Sequence, residues 1–231
     1  MKIGLVILNK NEQDALPVIL PQIDRQAVEY VVCVDGNSTD RSRDILAEHD
    51  IPVLAQPSPG RGEAFRIAFT EPPEGTDAII FFSPDGNEDP ADIGRFRSFL
   101  EGGADMVIAS RMMKGAVNEE DASWWRPRKW ANLAFDWLAW LTWGVWRRQY
   151  RIRDAINGYR AITTEAWGRL RADGEGHTIE YQTSIRAYKQ RMKVVEFPTV
   201  EGQRIGGEIK AKSLITGWRF IKLYFRELFR R

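Results

Sequence analysis

The stretch Ile79-Ile80-Phe81-Phe82-Ser83-Pro84-Asp85-Gly86-Asn87-Glu88-Asp89-Pro90 joins a short apolar run to a turn rich in oxygen-bearing side chains. Four consecutive apolar residues predict a strand that is buried on both faces, as in a parallel sheet. Pro84, Gly86 and Pro90 end that strand and force a tight loop at its carboxyl end. Open α/β sheets bind their ligands at that edge. The stretch therefore predicts a central strand followed by a ligand-binding loop.

The loop itself has the composition of a metal site. Asp85, Asn87 and Asp89 alternate along the chain, so a looped backbone can turn their three oxygens toward one point. Hard divalent cations such as Mg²⁺ or Mn²⁺ take carboxylate and amide oxygens and complete their shell with substrate phosphate. An ordinary solvated turn is the alternative, because Asp, Asn, Gly and Pro are also common turn residues.

Composition excludes several classes of protein. The chain has 231 residues, 43% of them hydrophobic and 28% charged, with a net charge of only +1. These values are ordinary for a globular protein and give no overall attraction to nucleic acid. A single cysteine, Cys33, excludes an internal disulfide and favours a reducing, cytoplasmic compartment. The longest apolar region, 133–146, contains Asp136 and is shorter than the ~20 residues that cross a bilayer, and no signal peptide is expected.

Strand, polar turn and helix alternate four times, at spacings of about 25 residues. This alternation predicts a doubly wound, mostly parallel α/β sheet flanked by helices. The turns share one edge of such a sheet, so Asp35 and Asp85 are expected to approach each other. A Gly-x-Gly-x-x-Gly turn after the first strand and a P-loop are both missing from the sequence, which argues against NAD-type and P-loop enzymes. The predicted strands are Ile3–Leu8, Tyr30–Val34, Pro52–Ala55, Ile79–Phe82, Asp105–Ala109 and Val194–Pro198.

Several short motifs follow one another along the chain: Asn11-Glu12, Val34–Asp40, Gly60-Arg61-Gly62-x-Ala64, Asp85-x-Asn87-x-Asp89, Ser110-Arg111, Asp154–Arg160 and Arg204–Lys210. In this order and spacing they resemble the family 2 glycosyltransferases of the GT-A fold. The branch they are most similar to contains the dolichyl- and polyprenyl-phosphate mannosyl- and glucosyltransferases. Gly36 stands where the family has a second aspartate. Asn87 and Asp89 exchange an amide and a carboxylate relative to the family, which keeps the formal charge and implies a rearranged metal site.

The resemblance implies an inverting, metal-dependent transfer of a sugar from a GDP- or UDP-sugar to a polyprenyl phosphate. It implies a GT-A domain over residues 1–212, with a nucleotide-sugar half (1–115) and an acceptor half (116–212). Donor contacts are expected from Asn11, Glu12, Asp35, Gly60, Arg61, Gly62 and Asp85. Contacts to the acceptor phosphate are expected from Arg111, Arg126, Arg204 and Lys210.

Catalysis is expected to depend on Asp85 and Arg111, which would offset charge on the phosphates. A phosphate acceptor is already ionised and needs no strong base, whereas a hydroxyl acceptor needs one. Glu180 and Asp154 are the carboxylates predicted for that role. Two other functions therefore stay open: a soluble glycosyltransferase with a saccharide or small hydroxyl acceptor, and an inactive GT-A module that binds nucleotide sugars.

Two segments predict contact with a membrane surface. Seven of the nine tryptophans lie between Trp124 and Trp146, and Trp prefers the boundary between water and hydrocarbon. Residues 213–231 are predicted to form a basic amphipathic helix whose apolar stripe is flanked by cations. The stripe comprises Leu214, Trp218, Ile221, Phe225 and Leu228, and the cations are Arg219, Lys222, Arg226 and Arg230. The prediction is a peripheral protein on the anionic cytoplasmic face. A core helix for the first segment, and packing on the domain or on a second copy for the tail, are the alternatives.

Overall fold

A computed structural model describes residues 1–206 and 213–230. Its strands are β1 (Ile3–Asn9), β2 (Tyr30–Asp35), β3 (Val53–Ala55), β4 (Ala78–Phe82), β5 (Met106–Ser110), β6 (Arg160–Thr163) and β7 (Val194–Pro198). Within the described residues these seven strands form one sheet in the order β3-β2-β1-β4-β6-β5-β7. β6 is antiparallel to β4 and β5, and the remaining pairs are parallel. The predicted doubly wound, mostly parallel sheet is confirmed.

Helices cover both faces of the sheet: α1 (Leu16–Ile19), α2 (Ser42–Glu48), α3 (Arg61–Thr70), α4 (Ile93–Glu101), α5 (Pro127–Ala139), α6 (Thr164–Leu170), α7 (Thr178–Lys189) and α8 (Ser213–Phe229). One hydrophobic core lies between the sheet and α1, α2 and α4. The other lies between the sheet and α3, α5, α6, α7 and α8. Of the helices in the described residues, five therefore pack on one face of the sheet and three on the other.

β4 is buried along its whole length because both of its faces meet a core. Phe81 points into the α3 side, where its ring stacks on Phe65 with centroids 3.7 Å apart. Phe82 points into the opposite core and meets Tyr159 edge-on. This two-sided burial explains the continuous apolar run, and it fixes the loop that begins at Ser83 at the carboxyl edge of the sheet.

The sequence pattern predicts a first helix over residues 15–23, and the observed helix is shorter. α1 ends at Ile19 and a 3₁₀ turn follows at Leu20–Gln22. Pro21 explains the change, because proline has no amide hydrogen to donate and its ring clashes with the preceding helical turn. Pro17 lies in the first turn of α1 and is tolerated there.

The Trp-rich segment is mostly on the surface. α5 continues into a π-helical turn at Trp140–Gly144 and a 3₁₀ turn at Val145–Arg147. Trp143 is buried and Trp140 packs against the core. The five other tryptophans of the segment are exposed: Trp124, Trp125, Trp130, Trp137 and Trp146. A purely core helix is therefore wrong for this segment.

α8 has two apolar faces. Phe220 and Leu223 are buried against the domain, so the helix does pack on its own core. The predicted stripe faces outward instead, with Trp218, Ile221, Phe225 and Leu228 all exposed. Glu227 is fully buried in an ion-pair network with α7. No helix in the described part of the chain is long and apolar enough to cross a bilayer.

Candidate active site

The strand register gathers the predicted motifs at one edge of the sheet. β1, β2 and β4 end there with Asn9, Asp35 and the Ser83 loop. β6 is antiparallel and therefore begins at that edge, just after Asn157 and Gly158. Together these loops surround a cleft of about 510 Å³. Its lining includes Asn9, Glu12, Arg61, Asp85, Asn87, Glu88, Arg111, Arg128, Glu180 and Arg204.

An arginine crosses the mouth of this cleft. Arg204 Nη1 donates to Asp85 Oδ2 at 2.7 Å, and Arg204 Nη2 donates to Glu12 Oε1 at 2.6 Å. Asp85 Oδ1 accepts the backbone N–H of Asn87 at 3.1 Å. The predicted metal carboxylate and one predicted acceptor arginine are thus direct partners in this structure.

The segment that carries Arg204 is fastened to the Asp85 loop by backbone hydrogen bonds. Gly202 N–H donates to the Asn87 carbonyl at 2.9 Å, and Ile205 N–H donates to the Asp85 carbonyl at 2.8 Å. The Asn87 amide also donates to the Gly202 carbonyl. Gly86 has a φ of +90°, and a Cβ there would lie 2.8 Å from Ile205. Glycine is therefore required at this contact, which holds residues 202–205 across the loop.

The predicted three-residue metal set is not assembled. The carboxylate of Asp89 accepts the backbone N–H of Ala91 and caps a 3₁₀ turn, and Asp89 does not line the cleft. The side chain of Asn87 is engaged by Gly202. Across residues 1–206 and 213–230, no three His, Cys, Asp or Glu side chains form a metal cluster. Asp85 is the carboxylate of the set that lines the cleft.

A divalent cation still fits these residues when it is shared with a diphosphate. Mg²⁺ is commonly held by one or two carboxylates together with substrate phosphates and water, rather than by an all-protein cage. Asp85 supplies one such carboxylate at the carboxyl edge of the sheet, with Glu12 on the other side of Arg204. Asp85 would therefore be the protein ligand of a cation bound to the donor, once its Oδ2 is released from Arg204.

Three charged residues lie together on the floor of the cleft. Arg61 Nε is 2.5 Å from Glu180 Oε1, and Arg61 Nη2 is 3.8 Å from Glu88 Oε1. Glu88 Oε2 accepts the Ser83 N–H at 2.6 Å. Burial raises the pKa of Glu88 to about 8, against the opposing effect of Arg61. Glu180, the predicted base, is held in an ion pair; the sequence reasoning missed Glu88, which it treated as a spacer between metal ligands.

Asn11 and Asp35 shape the donor loops from behind the cleft. Asn11 has a φ of 51°, and its Oδ1 accepts the Thr39 N–H at 2.8 Å. Asp35 is fully buried and accepts hydrogen bonds from Ser38 and from the amide of Asn9. Burial alone would raise the pKa of Asp35, but these hydrogen bonds lower it overall. Neither residue lines the cleft, whereas Asn9 and Glu12 do. Donor contacts from Asn11 and Asp35 stay a prediction.

The glycines of Gly60-Arg61-Gly62 allow a close approach of two loops. A Cβ at Gly62 would lie 2.0 Å from the carbonyl oxygen of Gly174. Gly60 has a φ of +117° and begins α3 against Gly176. Gly60 and Arg61 line the cleft and Gly62 does not. The two glycines therefore allow a tight packing of loops that brings Arg61 into the cleft, and donor contacts from Gly60, Arg61 and Gly62 stay a prediction.

Asp154 is a structural partner of Arg111. It is fully buried, and its two oxygens accept Arg111 Nε and Nη2 at 2.9 Å each. Arg111 Nη1 donates to Glu201 at 3.1 Å. Burial lowers the pKa of Arg111, but these carboxylates outweigh burial and raise it well above its ordinary value. Asp154 does not line the cleft, whereas Arg111 lines it as an already paired cation. The role of Asp154 as a base stays a prediction.

Arg126 and Arg128 differ in where they lie. Arg126 donates to the Ser123 and Asp121 carbonyls and to the Asp121 carboxylate, and it does not line the cleft. Arg128, two residues later on α5, does line it. The structure therefore places Arg128 in the cleft and the predicted acceptor residue Arg126 outside it, and the acceptor contact of Arg126 stays a prediction. Lys210, the other predicted acceptor residue, lies outside the described residues.

A second cavity of about 680 Å³ opens from the cleft between α5 and α8. Arg111, Arg128 and His177 line both cavities. Burial lowers the pKa of His177, which keeps its imidazole neutral at pH 7. Away from the shared end the lining becomes apolar, with Ala131, Phe135, Trp218, Phe220 and Ile221. A polar cleft and an apolar groove are thus continuous.

This fold and this arrangement of acidic loop, donor loops and acceptor side define a GT-A glycosyltransferase. The family model described as Glycosyl transferase family 2 matches residues 5–175, and the chain belongs to that family.

The chain is similar to an uncharacterised glycosyltransferase of Mycobacterium tuberculosis, at 28% identity over 90% of this chain and 88% of that protein. It is also similar to the polyprenol monophosphomannose synthase of Mycolicibacterium smegmatis, at 25% identity over 87% of this chain and 77% of that protein. Among solved structures, glucosyl-3-phosphoglycerate synthase of Mycobacterium tuberculosis in complex with Mn²⁺ and UDP-glucose superposes with a TM-score of 0.72. That match has 18% identity and covers 98% of this chain and 78% of that one. At this identity the likeness concerns the fold.

Proposed function

We propose that this protein is an inverting glycosyltransferase that moves a sugar from a nucleotide-diphosphate sugar to a polyprenyl phosphate at a membrane surface, with Mg²⁺ or Mn²⁺ on the donor. Residues 1–115 would supply most of the donor contacts and residues 116–212 most of the acceptor contacts. The observation that carries the proposal is the continuity of the cleft with the apolar groove. An acceptor with a charged head and a long hydrocarbon chain matches a site with one polar end and one apolar end.

The two ends of the groove differ in polarity, and this difference indicates which acceptor the groove suits. Arg128 stands where the groove meets the cleft, paired with Glu119 at 2.7 Å and Glu120 at 3.0 Å. A guanidinium in this position suits phosphate oxygens because of its planar, bidentate geometry. Phe135, Phe220 and Ile221 then line the way outward between α5 and α8. A saccharide acceptor would gain nothing from that apolar length, whereas a prenyl chain would be removed from water there.

The proposed reaction is a single displacement. An oxygen of the acceptor phosphate attacks the anomeric carbon, the bond from that carbon to the donor diphosphate breaks, and the nucleoside diphosphate leaves. The acceptor oxygen is ionised at neutral pH, so Glu180 can stay in its ion pair with Arg61 and need not accept a proton. A bound divalent cation would offset the charge that develops on the leaving diphosphate. Asp85 is the residue to hold that cation, and Arg204, once displaced, is free to meet a phosphate.

Exposed apolar side chains beside the groove support the same acceptor. The exposed tryptophans of the α5 segment and the outward stripe of α8 lie on the two helices that border the groove. Exposed apolar clusters of this kind mark interaction surfaces, and Trp and Phe beside cations suit the interface of an anionic bilayer. We infer that these helices rest on lipid, so that the acceptor enters the groove directly from the membrane.

Filling the groove tests the function. Gly217 lines the groove, and a Cβ there meets no atom within 4 Å. Gly217→Leu should keep or raise helix stability, since Leu is about 1 kcal/mol better than Gly in a helix, while blocking the prenyl chain. Transfer to undecaprenyl phosphate should fall at least tenfold, and hydrolysis of the donor in water should not. Gly168→Leu on α6, which is equally open and remote from the groove, is the matched control. Undiminished transfer in Gly217→Leu would exclude the groove as the acceptor site.

A further inference from the structure

The charged cluster on the cleft floor is a built site. Arg61, Glu88 and Glu180 all line the cleft, yet their side chains are only 18%, 12% and 2% exposed. The position of Arg61 depends on Gly158, where a Cβ would lie 1.9 Å from Arg61 Nη2. Any other residue at 158 would displace the guanidinium. The chain thus makes room for a buried cation between two buried carboxyl groups.

The cluster leaves hydrogen-bonding capacity unused. Among the described residues, neither Arg61 Nη2 nor Glu180 Oε2 has a hydrogen-bond partner, although both atoms are buried. An unsatisfied buried donor or acceptor costs about 1–3 kcal/mol. A donor and an acceptor without partners in one ion-paired cluster match a ligand that offers both functions from neighbouring atoms. Adjacent hydroxyl groups of a sugar ring do so, because each hydroxyl donates one hydrogen bond and accepts others.

The location of the cluster fits a sugar ring. Asp85 and Arg111 line the same cleft as the cluster, and both interact electrostatically with Glu88. In the proposed transfer, Asp85 faces the donor diphosphate and Arg111 faces the acceptor. The transferred sugar has to lie between the two phosphates, within the cleft that the cluster lines.

We propose that Arg61, Glu88 and Glu180 form the subsite for the donor's sugar ring and restrict the donor to neutral hexoses. This inference rests on the proposed function, because it assumes that the cleft binds a nucleotide sugar. The restriction follows from charge. Two carboxyl groups face one guanidinium, so the subsite has no net positive charge even when Glu88 is protonated. A uronic acid would bring a third carboxylate beside Glu88 and Glu180, which already share Arg61, and crowding buried carboxylates in this way is strongly unfavourable.

Binding without acceptor tests this subsite. Calorimetry with MnCl₂ would compare UDP with UDP-glucose and UDP-glucuronic acid, and GDP with GDP-mannose. The quantity of interest is the gain in affinity that the sugar adds to its nucleoside diphosphate. In the wild type, at least one nucleotide sugar with a neutral hexose should bind tenfold or more tightly than its nucleoside diphosphate. UDP-glucuronic acid should bind no more tightly than UDP. Glu180→Gln and Glu88→Gln should each reduce the gain at least fivefold while leaving the affinity for UDP and GDP unchanged.

A neighbouring glutamate on α3 provides the control. Glu63→Gln lies on the same helix as Arg61 but removes only a partner of Arg66, and should behave as the wild type. Unchanged nucleoside diphosphate binding also shows that each variant is folded. Equal losses for UDP and UDP-glucose, no gain from any sugar in the wild type, or tight binding of UDP-glucuronic acid would overturn the subsite. Failure of transfer to polyprenyl phosphate with the sugar gain intact would refute the proposed acceptor alone.

Discussion

Arg204 and Asp85 form an ion pair of 2.7 Å across the mouth of the cleft, although they lie 119 positions apart in the chain. The same guanidinium also pairs with Glu12 at 2.6 Å. One guanidinium therefore pairs with two carboxylates that line the cleft. A donor-bound metal held by Asp85 would use the oxygen that now accepts from Arg204, so the two cations would compete for one carboxylate. Release of Arg204 would in turn supply a cation to the acceptor side.

Removal of Arg204 should strengthen metal binding in the absence of donor. Arg204→Ala leaves Asp85 without its guanidinium partner, so Mn²⁺ should bind several-fold more tightly than in the wild type. Mn²⁺ binding can be followed by electron paramagnetic resonance of the free ion. Arg41→Ala, which removes a surface cation with a weak partner at 3.7 Å, controls for the change in net charge. Equal Mn²⁺ affinity in Arg204→Ala and wild type would show that the guanidinium and the metal do not share Asp85.

Asp85 and Asp89 should differ in their metal dependence. Asp85→Asn weakens a metal ligand in the cleft and should abolish turnover with little loss of thermal stability. Asp89→Asn keeps an oxygen that can accept the Ala91 N–H, so activity and metal response should be nearly those of the wild type. Titration of donor hydrolysis with MnCl₂ separates the two variants. A comparable loss in both would restore Asp89 to the metal site.

The fold could be predicted from the sequence because each strand is marked by a short stretch of neighbouring residues. Apolar runs ending in polar turns mark the strands, and β4 is buried on both faces as its uninterrupted run of apolar residues predicts. The end of α1 differs from the prediction because of a single residue, Pro21, which lies in the 3₁₀ turn that follows the helix. Parallel pairing then places all the polar turns at one edge, which is why the residue pattern could bring the loops of Asp35 and Asp85 together, whereas Glu12 was included because of the resemblance to the family.

The roles of individual charges were less accessible, because partners distant in sequence decide them. Asp154 resembles a catalytic carboxylate until Arg111, 43 positions away, is seen to take both of its oxygens. The sequence alone does not distinguish the role of Arg126 from that of Arg128. Helix α5 begins at Pro127, between the two arginines, and Arg128 is the one that lines the cleft. Glu88 offered no signal beyond its place inside the acidic loop.

Arg128 and Arg126 provide a matched test of acceptor recognition. Arg128→Gln should raise the apparent KM for polyprenyl phosphate and leave that for the nucleotide sugar unchanged. A lost hydrogen bond to a charged group costs about 1.5–3 kcal/mol, which corresponds to a rise of roughly 10- to 150-fold. Arg126→Gln should have little effect, since that side chain contacts only Ser123 and Asp121 among the described residues. Steady-state kinetics with each substrate varied in turn gives both values. A larger effect at Arg126 would reverse the assignment.

Glu227 should be a major source of stability for α8. It is fully buried and accepts hydrogen bonds from Gln182, Arg186 and Lys189. Glu227→Gln would leave Arg186 buried with less compensation, and the loss should be about 3 kcal/mol in the free energy of unfolding. Urea denaturation measures it. Glu101→Gln, an exposed i,i+4 partner of Arg97, should cost less than about 0.5 kcal/mol.

The same residue gives a pH dependence. Burial alone would raise the pKa of Glu227, but hydrogen bonds from Arg186, Gln182 and Lys189 lower it below its ordinary value of 4.5. A carboxyl group whose pKa is lowered on folding contributes stability above 4.5, and that contribution is lost as the pH falls through the folded value. The wild type should therefore lose more stability than Glu227→Gln between pH 5 and pH 3. Parallel stability curves for the two proteins would exclude Glu227 as the titrating group.

The cations of α8 do not contribute equally to lipid binding. Arg226 and Arg230 pair with Asp173 at 3.2 Å and 2.7 Å, so part of the charge predicted to face lipid is used within the protein. Lys222 lies over the exposed ring of Trp218 instead. A basic residue near an anionic surface contributes about 1 kcal/mol. Lys222→Gln should therefore weaken vesicle binding at low salt by roughly fivefold, and Arg226→Gln should weaken it less.

The outward stripe of α8 should hold the protein on anionic vesicles. Deletion of the helix would be a poor test, because Phe220 and Leu223 belong to the core and their loss would expose it. Trp218→Ser combined with Phe225→Ser changes only exposed side chains, so the fold and donor binding should be preserved while flotation with phosphatidylglycerol vesicles is largely lost. Val18→Ser with Val53→Ser alters exposed apolar residues elsewhere on the surface and should float as the wild type does. High salt should weaken wild-type binding without abolishing it, because apolar contacts are not screened. Full-length protein that stays in the supernatant at low salt would remove the physical support for a lipid acceptor.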